Sequence, residues 1–419
     1  MEALEGKVIE LAYALDTFYF LVMGAFVMWM AAGFTMLESG LVRAKNTAEI
    51  LTKNISLYSI AVIMYMIVGY NLMYPGGGTG VIPELSFFLG ADNTAEAVIA
   101  SGGDVYYSSI SDHFFQVVFV ATAMSVVSGA VAERKKLWTF LLFAVIFTAV
   151  IYPIQGSWSW GGGWLSERGF FDFAGSGIVH MAGAAAALAG VLILGPRRGK
   201  YTSDGKPRNI QGANAAQVAL GTLILWLGWF GFNGGSQLAL NGVENANAVA
   251  KIFVNTNTAA AAGVLSAMAL SKLWLGKTAM NATMNGALAG LVVITADPLT
   301  PAPHFALLYG ALGGLLVPLS MTMFEREGID DPVGAISVHG VAGILGLLLV
   351  PILNTNASFL EQIIGTLSIL GFVFISSYGV WWFIDRCFSI RVSEKEEVGG
   401  SDMYEAGGRA YEYMMADKD

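Results

Sequence analysis

The amino-acid sequence predicts an all-α integral membrane protein with eleven transmembrane helices. Apolar residues make up 55% of its 419 positions and charged residues only 13%, against about 25% in a typical soluble domain. Eleven apolar stretches approach the length of about 20 residues that a helix needs to cross the ~30 Å hydrocarbon core of a bilayer. This composition excludes an ordinary water-soluble enzyme and a disordered chain. The sequence contains a single cysteine, Cys387, so a fold held together by disulfide bonds within the chain is also excluded.

Short segments rich in glycine, proline or charge separate the predicted spans, as at residues 75–78 and at Asp297-Pro298. Glycine is frequent, with 51 residues, because it lets membrane helices approach each other closely. The spans lie near residues 17–41, 50–74, 112–132, 137–158, 173–195, 211–233, 247–271, 279–297, 303–323, 332–352 and 359–388.

The distribution of Lys and Arg predicts which way these helices run. If the N-terminus lies outside, 19 of the 22 basic residues fall in inside loops and in the C-terminal tail, where Lys418 lies; Lys7, Arg168 and Lys251 remain outside. Because cytoplasmic loops carry the excess of Lys and Arg, we expect an N-out, C-in topology in the cell membrane.

The longest outside connection, residues 75–111, is acidic. It contains Glu84, Asp92, Glu96 and Asp104 and no Lys or Arg. We interpret it as a solvated loop; the alternative is that its weak, salt-screened field concentrates cations near an entrance. The net charge of −9 gives no reason to expect nucleic acid as a partner.

Two similar segments predict an internal repeat. DFAGSGIVHMAG (172–183) and DPVGAISVHGVAG (331–343) each place a histidine eight residues after an aspartate. Five spans separate them, so the two halves are expected to be inverted in the membrane, as in transporters whose sites lie near the midplane. The predicted organisation is an extracellular N-terminus (1–16), a first five-helix repeat (17–195), a second, inverted repeat (211–352), an eleventh helix (359–390) and a cytosolic tail (391–419).

The histidines of this repeat, His180 and His339, are predicted to meet near the bilayer centre. Eight helical residues rise about 12 Å, so each imidazole would lie that far in from its own side of the membrane. The alternative is two separate, hydrogen-bonded buried histidines. A symmetry-related pair favours a pore, because ionisable groups inside a membrane are costly and usually line a pathway. A metal site is not expected, since His113 and His304 lie near outer helix ends without a nearby cysteine.

The aspartates that precede the histidines have a structural interpretation. A carboxylate at a helix start accepts hydrogen bonds from exposed N–H groups and suits the positive end of the helix dipole. For Asp331 we expect only that role. Asp172 lies nearer the outer mouth, where it could also attract a cation or a proton.

Aromatic residues gather at the predicted outer ends of three spans. Phe115 and Phe119 lie one helical turn apart, Trp160 precedes three glycines, and Phe232 and Ser236 end the sixth span. Aromatic faces and one hydroxyl suit a small cation. The alternative is an interfacial aromatic belt, which is common in membrane proteins.

The sequence resembles the ammonium transporter superfamily that includes the Amt, Mep and Rh proteins, and its Amt branch most. The resemblance covers about residues 1–390. It rests on LESGLVRAKN (37–46), GAVAER (129–134), SWGGGWL (159–165), DFAGSGIVH (172–180), GWFGFNGGS (228–236), NGALAGLVVITA (285–296) and DDPVGAISVHGVAG (330–343).

The resemblance implies a role for each candidate residue. Trp160, Phe119 and Ser236 match the outer ammonium site, and Phe119 and Phe232 match the aromatic gate, with Phe115 as a further ring. His180 and His339 match the twin histidines of the pore. Asp172 matches an acidic residue needed for conduction, either structurally or in deprotonation.

The resemblance also implies a homotrimer with one pore per subunit and no cofactor. Many members are blocked from the cytosol by a PII signalling protein, but the tail segment 399–414 lacks the histidine of the usual family pattern.

The function implied is ammonium transport rather than enzymatic catalysis. An isolated ion in hydrocarbon costs tens of kcal/mol by idealised solvation estimates, and ammonium escapes this cost by leaving its proton behind, whereas K⁺ cannot. An apolar pore with neutral imidazoles would therefore pass ammonia and reject K⁺, with net ammonium uptake. The alternatives are an ammonium sensor with little flux, an electroneutral gas channel of the Rh type, and a membrane enzyme or metal transporter.

Overall fold

The computed structural model describes residues 2–411, so the end of the predicted tail, including Lys418, lies outside the described residues. Within this range the chain is helical and contains no named strand. Eleven apolar helices confirm the predicted spans. They are α1 Glu2–Leu41, α2 Ala44–Met73, α3 Ser109–Ala130, α4 Leu137–Ser157, α5 Ser176–Leu194, α6 Ala215–Gly234, α7 Val243–Leu275, α8 Met280–Thr295, α9 Pro303–Arg326, α10 Ile336–Leu353 and α11 Phe359–Phe388.

Most of the predicted helix ends agree with the structure within a few residues, and α1 is the exception. It begins at Glu2 rather than near residue 17. Leu4, Val8 and Leu11 lie at helical spacing in this first part of α1, and their side chains are exposed. The acidic residues Glu5 and Glu10 lie between them and lower the mean hydropathy, which is why the sequence did not predict this part of the helix. Hydropathy predicts the part of a helix that suits the membrane and not the whole helix.

The two halves meet along α1 and α6, which are the first helices of each predicted repeat and pack against each other. Gly221 of α6 allows this approach. A Cβ atom there would lie 2.4 Å from the backbone nitrogen of Leu37 and 2.6 Å from the carbonyl oxygen of Gly33. The helix backbones are therefore in direct contact, as small residues permit between membrane helices.

Helix α11 packs along the outside of α5 and also contacts α4. The indole of Trp381 stacks on the ring of Phe143, with the ring centroids 4.0 Å apart and 10° between the planes. It also approaches Gly190 of α5. The eleventh helix thus encloses the side of the first half rather than contributing to its interior.

Two short helices, α12 (Glu394–Gly399) and α13 (Ser401–Glu405), dock the C-terminal segment against one end of the bundle, which we call the tail end. The Nζ of Lys45 donates to the carbonyl oxygens of Glu397 and Val398 at 2.8 and 2.6 Å. The Asp402 carboxylate accepts from the backbone N–H of Glu49 at 3.0 Å. These contacts fix the tail to the start of α2.

A buried ionic group also lies at the tail end. The Arg197 guanidinium donates to both carboxylate oxygens of Asp330 at 2.8 Å and to Glu133 at 3.1 Å. Burial disfavours a charged Asp330, but the hydrogen bonds and charge of Arg197 outweigh it and lower the pKa of Asp330 to about 2. This group ties the α3–α4 and α5–α6 connections to the start of α10.

Candidate functional site

The two histidines of the repeat lie in contact at the centre of the bundle. The Nδ1 atoms of His180 and His339 are 3.2 Å apart, and the ring centroids are 5.1 Å apart at an angle of 28°. Both side chains are buried. Because one Nδ1 must donate and the other accept, the pair leaves one Nε2 as an acceptor and the other as a donor.

Each histidine lies in a π-helical turn at the start of its helix. These turns span Ser176–Met181 and Ile336–Val341. In a π turn a backbone N–H donates to the carbonyl oxygen five residues earlier, instead of four as in an α-helix. The N–H of His180 donates in this way to the carbonyl oxygen of Gly175 at 3.0 Å. Such wide turns are rare and often mark functional sites.

The approach to the histidines differs from the continuous helical rise that the sequence predicted. Residues 172–175 precede α5 without being helical, and Gly175 adopts φ 106°, a conformation that favours glycine. The chain turns here so that its aspartate can reach the free N–H groups of the helix. The prediction of an uninterrupted rise of about 12 Å was therefore wrong.

A row of rings leads to the histidines from the end of the bundle opposite the tail. The rings of Phe119 and Phe232 are in contact, with centroids 4.2 Å apart and their planes tilted by 35°. Phe232, in the π turn Phe230–Gly234, stacks on His180 at 5.0 Å and 22°. Phe232 thus contacts both the predicted gate partner and the first imidazole.

The row opens into a cavity of about 400 Å³, which we call the vestibule. The rings of Trp160 and Phe115 both lie edge-on to the ring of Phe119. The centroid of Trp160 is 6.0 Å and that of Phe115 4.8 Å from the centroid of Phe119. The Ser236 hydroxyl donates to the carbonyl oxygen of Phe232 at 2.8 Å, so its oxygen can still accept a hydrogen bond. The lining side chains are Tyr70, Tyr74, Tyr107, Asp112, Phe115, Gln116, Phe119, Trp160, Phe173, Ser236 and Leu238.

Asp172 is not among the side chains that line the vestibule. Its carboxylate is buried and accepts four backbone N–H groups, from Gly175, Ser176, Gly177 and Ile178, at 2.8–3.1 Å. It also contributes its carbonyl oxygen to the Trp160 indole N–H at 2.9 Å. Its contacts are therefore those of a helix cap that also positions the vestibule indole.

Asp331 repeats this arrangement in the second half. Its carboxylate accepts the N–H groups of Val333, Gly334 and Ile336 at 2.7–3.1 Å. The two caps hold the starts of α5 and α10 in equivalent geometries, which brings their histidines together.

A small cavity of about 10 Å³ lies on the other side of the pair, against His339. This volume is close to that of one water molecule. Apolar side chains including Phe34 and Val338 line most of it, together with the polar side chains of Glu38, Ser125 and Asn285.

Five polar residues of the vestibule were missed by the sequence reasoning. They are Tyr70, Tyr74, Tyr107, Asp112 and Gln116. The signal was present, because Asp112, Phe115, Gln116 and Phe119 follow one another at the spacing of one helix face. Attention to the phenylalanines alone left the intervening polar positions unassigned.

The described residues do not suggest a metal centre. No group of three or more His, Cys, Asp or Glu side chains converges within residues 2–411. A pair of imidazoles without a third ligand falls short of the four-coordinate site that zinc prefers.

Comparisons with known proteins agree on one family. The model of the Ammonium Transporter Family matches residues 18–411. The ammonium transporter Amt2 of Archaeoglobus fulgidus is 39% identical, covering 94% of this chain and 88% of that protein.

Solved structures show the same fold. A structure titled Sensor Amt Protein superposes with a TM-score of 0.88 at 31% identity, covering 95% of this chain and 99% of that one. Candida albicans Mep2 gives 0.83 at 26% identity, covering 93% of this chain and 88% of that one.

Proposed function

This chain belongs to the ammonium transporter family, and we propose that it carries ammonia through a pore centred on the paired imidazoles. It is a multi-pass membrane protein whose family members are transporters and not enzymes. The observation that carries the proposed mechanism is the 3.2 Å contact between the Nδ1 atoms of His180 and His339 at the end of a row of aromatic rings.

Recruitment takes place in the vestibule. The faces of Trp160 and Phe119 attract a small cation by cation–π interaction, and the free lone pairs of Ser236 accept one of its N–H groups. Phe119 and Phe232 then close the way, since rings 4.2 Å apart leave no room between them. Phe115 packs against this gate and holds Phe119 in place.

At or before the gate, the ammonium ion transfers its proton to solvent water in the vestibule, which becomes hydronium and can later deliver the proton to the imidazole pair. An ion would face a large desolvation penalty among the buried rings and imidazoles, whereas neutral ammonia would not. K⁺ has no proton to lose and is rejected. Asp172 contributes by fixing the start of α5 and the Trp160 indole, and its negative charge near the vestibule favours the cation.

The imidazole pair handles both species. Ammonia donates to one Nε2 and accepts from the other, because the pair presents one acceptor and one donor. A proton taken up at the accepting Nε2 can be relayed through the Nδ1–Nδ1 contact and released from the second ring. Net ammonium uptake follows if the proton and ammonia both cross.

The topology we propose is N-out and C-in, with the vestibule outside. The support is the distribution of basic residues, 19 of 22 of which fall on the inner side in this orientation. The setting proposed is the cell membrane, plasma or inner, and the assembly a homotrimer with one pore per subunit. A PII-family protein would dock at the inner face, where α12 and α13 already lie.

A sensing role is the second candidate, and one specific observation favours it. The solved structure that superposes with a TM-score of 0.88 is titled as a sensor. In a sensor, ammonium would occupy the vestibule and little would cross. An electroneutral channel of the Rh type would give flux without charge movement.

Purified protein in proteoliposomes on a solid-supported membrane distinguishes these functions. An ammonium jump is expected to give a transient inward current together with uptake of ammonium into the vesicles, and a K⁺ jump no current. Uptake without current would indicate the electroneutral channel. Binding without uptake would indicate the sensor and would overturn transport.

A further inference from the structure

The vestibule contains a second group of polar atoms that recruitment by Trp160 and Ser236 does not use. Asp112, in the first turn of α3, is almost fully buried yet lines the cavity. Its Oδ2 accepts the Tyr70 hydroxyl at 2.7 Å, and its Oδ1 accepts the Gln116 side-chain N–H at 3.2 Å. A carboxylate has about four lone-pair sites, so roughly half of its acceptor capacity is left.

The side-chain oxygen of Gln116 is a hydrogen-bond acceptor that no group of the described residues donates to. Its Oε1 is buried and has no hydrogen-bond partner, while its amide N–H binds Asp112. A buried polar atom left unpaired costs about 1–3 kcal/mol, so such an atom in a binding cavity calls for a ligand. The ligand that would pair it is a hydrogen-bond donor.

The charge of Asp112 has no partner within the chain. No ion pair formed by residues 2–411 includes it, although eleven others are present. A buried carboxylate without a countercharge is costly, and a cation entering the cavity would offset this cost. Aromatic rings of Tyr70, Tyr74 and Tyr107 line the same space, and their faces also attract cations.

We propose that Asp112, Gln116 and the surrounding tyrosines form a second ammonium-binding subsite in the vestibule. The four N–H donors of ammonium would pair with the free acceptor positions of the carboxylate and with Gln116 Oε1. The subsite holds the cation before it reaches Trp160 and the gate, and it raises the local concentration there. This inference rests on the proposed transport of ammonium.

A structural role for Asp112 makes a different prediction. A negative charge in the first turn of a helix stabilises the helix dipole, and the bond to Tyr70 links α3 to α2. If that were the whole role, neutralising Asp112 would lower the free energy of unfolding without raising the half-maximal ammonium concentration. A subsite depends on the charge and not on the phenol.

The test compares Asp112→Asn with the matched control Tyr70→Phe in proteoliposome current measurements. For Asp112→Asn we expect the ammonium concentration that gives half-maximal current to rise about five- to tenfold, with the maximal current changed less than about twofold. For Tyr70→Phe we expect a smaller rise in this concentration than for Asp112→Asn, because the carboxylate keeps its charge and the aromatic ring stays in the cavity. Equal shifts in both variants, or no shift in Asp112→Asn, would overturn the proposal.

Thermal unfolding in detergent verifies that each variant is folded. If Asp112→Asn does not fold, Gln116→Leu replaces it, and loss of the Oε1 acceptor is expected to raise the half-maximal concentration; no increase would count against the subsite.

These outcomes are separable from a failure of the proposed function. A wild-type protein without ammonium current would overturn transport itself. A wild type with current whose Asp112→Asn variant is indistinguishable would overturn only the subsite.

Discussion

Asp172 binds the start of α5 with its carboxylate and the Trp160 indole with its backbone carbonyl oxygen. Asp172 accepts four backbone N–H groups at the start of α5 with its side chain, while its carbonyl oxygen accepts the Trp160 Nε1–H at 2.9 Å. The same residue therefore fixes both the helix that carries His180 and the ring that covers the vestibule. A change at Asp172 alters the vestibule and the pore together.

Replacing Asp172 is expected to reduce stability and transport in proportion. Asp172→Ala leaves four buried N–H groups without their acceptor, which costs on the order of 2–4 kcal/mol. Asp172→Asn keeps one acceptor oxygen and is expected to lie between that variant and the wild type. Thermal unfolding in detergent and ammonium current, measured on the same preparations, test this expectation.

Asp331→Ala is the matched control, since Asp331 caps α10 in the same way but is far from the vestibule. We expect a similar loss of stability with an unchanged half-maximal ammonium concentration. An Asp172→Ala protein as stable as the wild type would contradict the capping role.

Replacing Trp160 is expected to change substrate recruitment more than folding. Trp160→Leu removes a cation–π partner worth about 0.5–2 kcal/mol, so the half-maximal ammonium concentration should rise about two- to thirtyfold. One hydrogen bond is lost, at a cost of about 1 kcal/mol. Concentration-dependent currents and thermal unfolding measure the two effects separately.

Trp138 provides the control for this change, because its side chain is 77% exposed on the surface of α4. Trp138→Leu is expected to leave the currents unchanged. Identical kinetics for Trp160→Leu and the wild type would argue against a vestibule site.

The ionic group at the tail end predicts a pH dependence of stability. The pKa of Asp330 is lowered to about 2 by the hydrogen bonds and charge of Arg197, against the desolvation that accompanies burial. A lowered pKa means that the folded state favours the charged carboxylate, so its stabilisation is present above the unfolded pKa of about 4. It is lost as the pH falls from about 4 towards 2 and is worth on the order of 2–3 kcal/mol.

Asp330→Asn removes this contribution at neutral pH. The variant is expected to be less stable than the wild type at pH 7, with the difference shrinking below pH 4. Chemical unfolding in detergent across this range tests the prediction. Asp204→Asn, in an exposed pair with Lys206, is expected to have no measurable effect. A constant difference across the pH range would refute the assignment to Asp330.

Most of the fold could be predicted from the sequence, because the features that define it are local. Membrane helices follow from stretches of apolar residues, and their ends follow from the polar residues between them. The Asp–His spacing at 172–180 and 331–339 likewise indicated the repeat. The long start of α1 was missed because hydropathy does not report helix outside the membrane.

The parts that could not be predicted depend on contacts between distant residues. The π turns at His180, Phe232 and His339 arise where helices pack, and no local sequence pattern predicts them. The bond between Tyr70 and Asp112 joins two helices, so neither residue alone indicates the subsite. The tail docks through Lys45 and backbone oxygens, which a composition analysis does not register.

The central claim is that neutral ammonia passes the paired imidazoles after ammonium has lost its proton at or before the gate. The most direct test is the ammonium and K⁺ currents of His180→Ala and His339→Ala proteoliposomes beside the wild type. We expect both variants to lose selective ammonium conduction, with the ammonium current abolished or accompanied by a K⁺ current that the wild type lacks. Wild-type ammonium currents with full K⁺ rejection in both variants would contradict the claim.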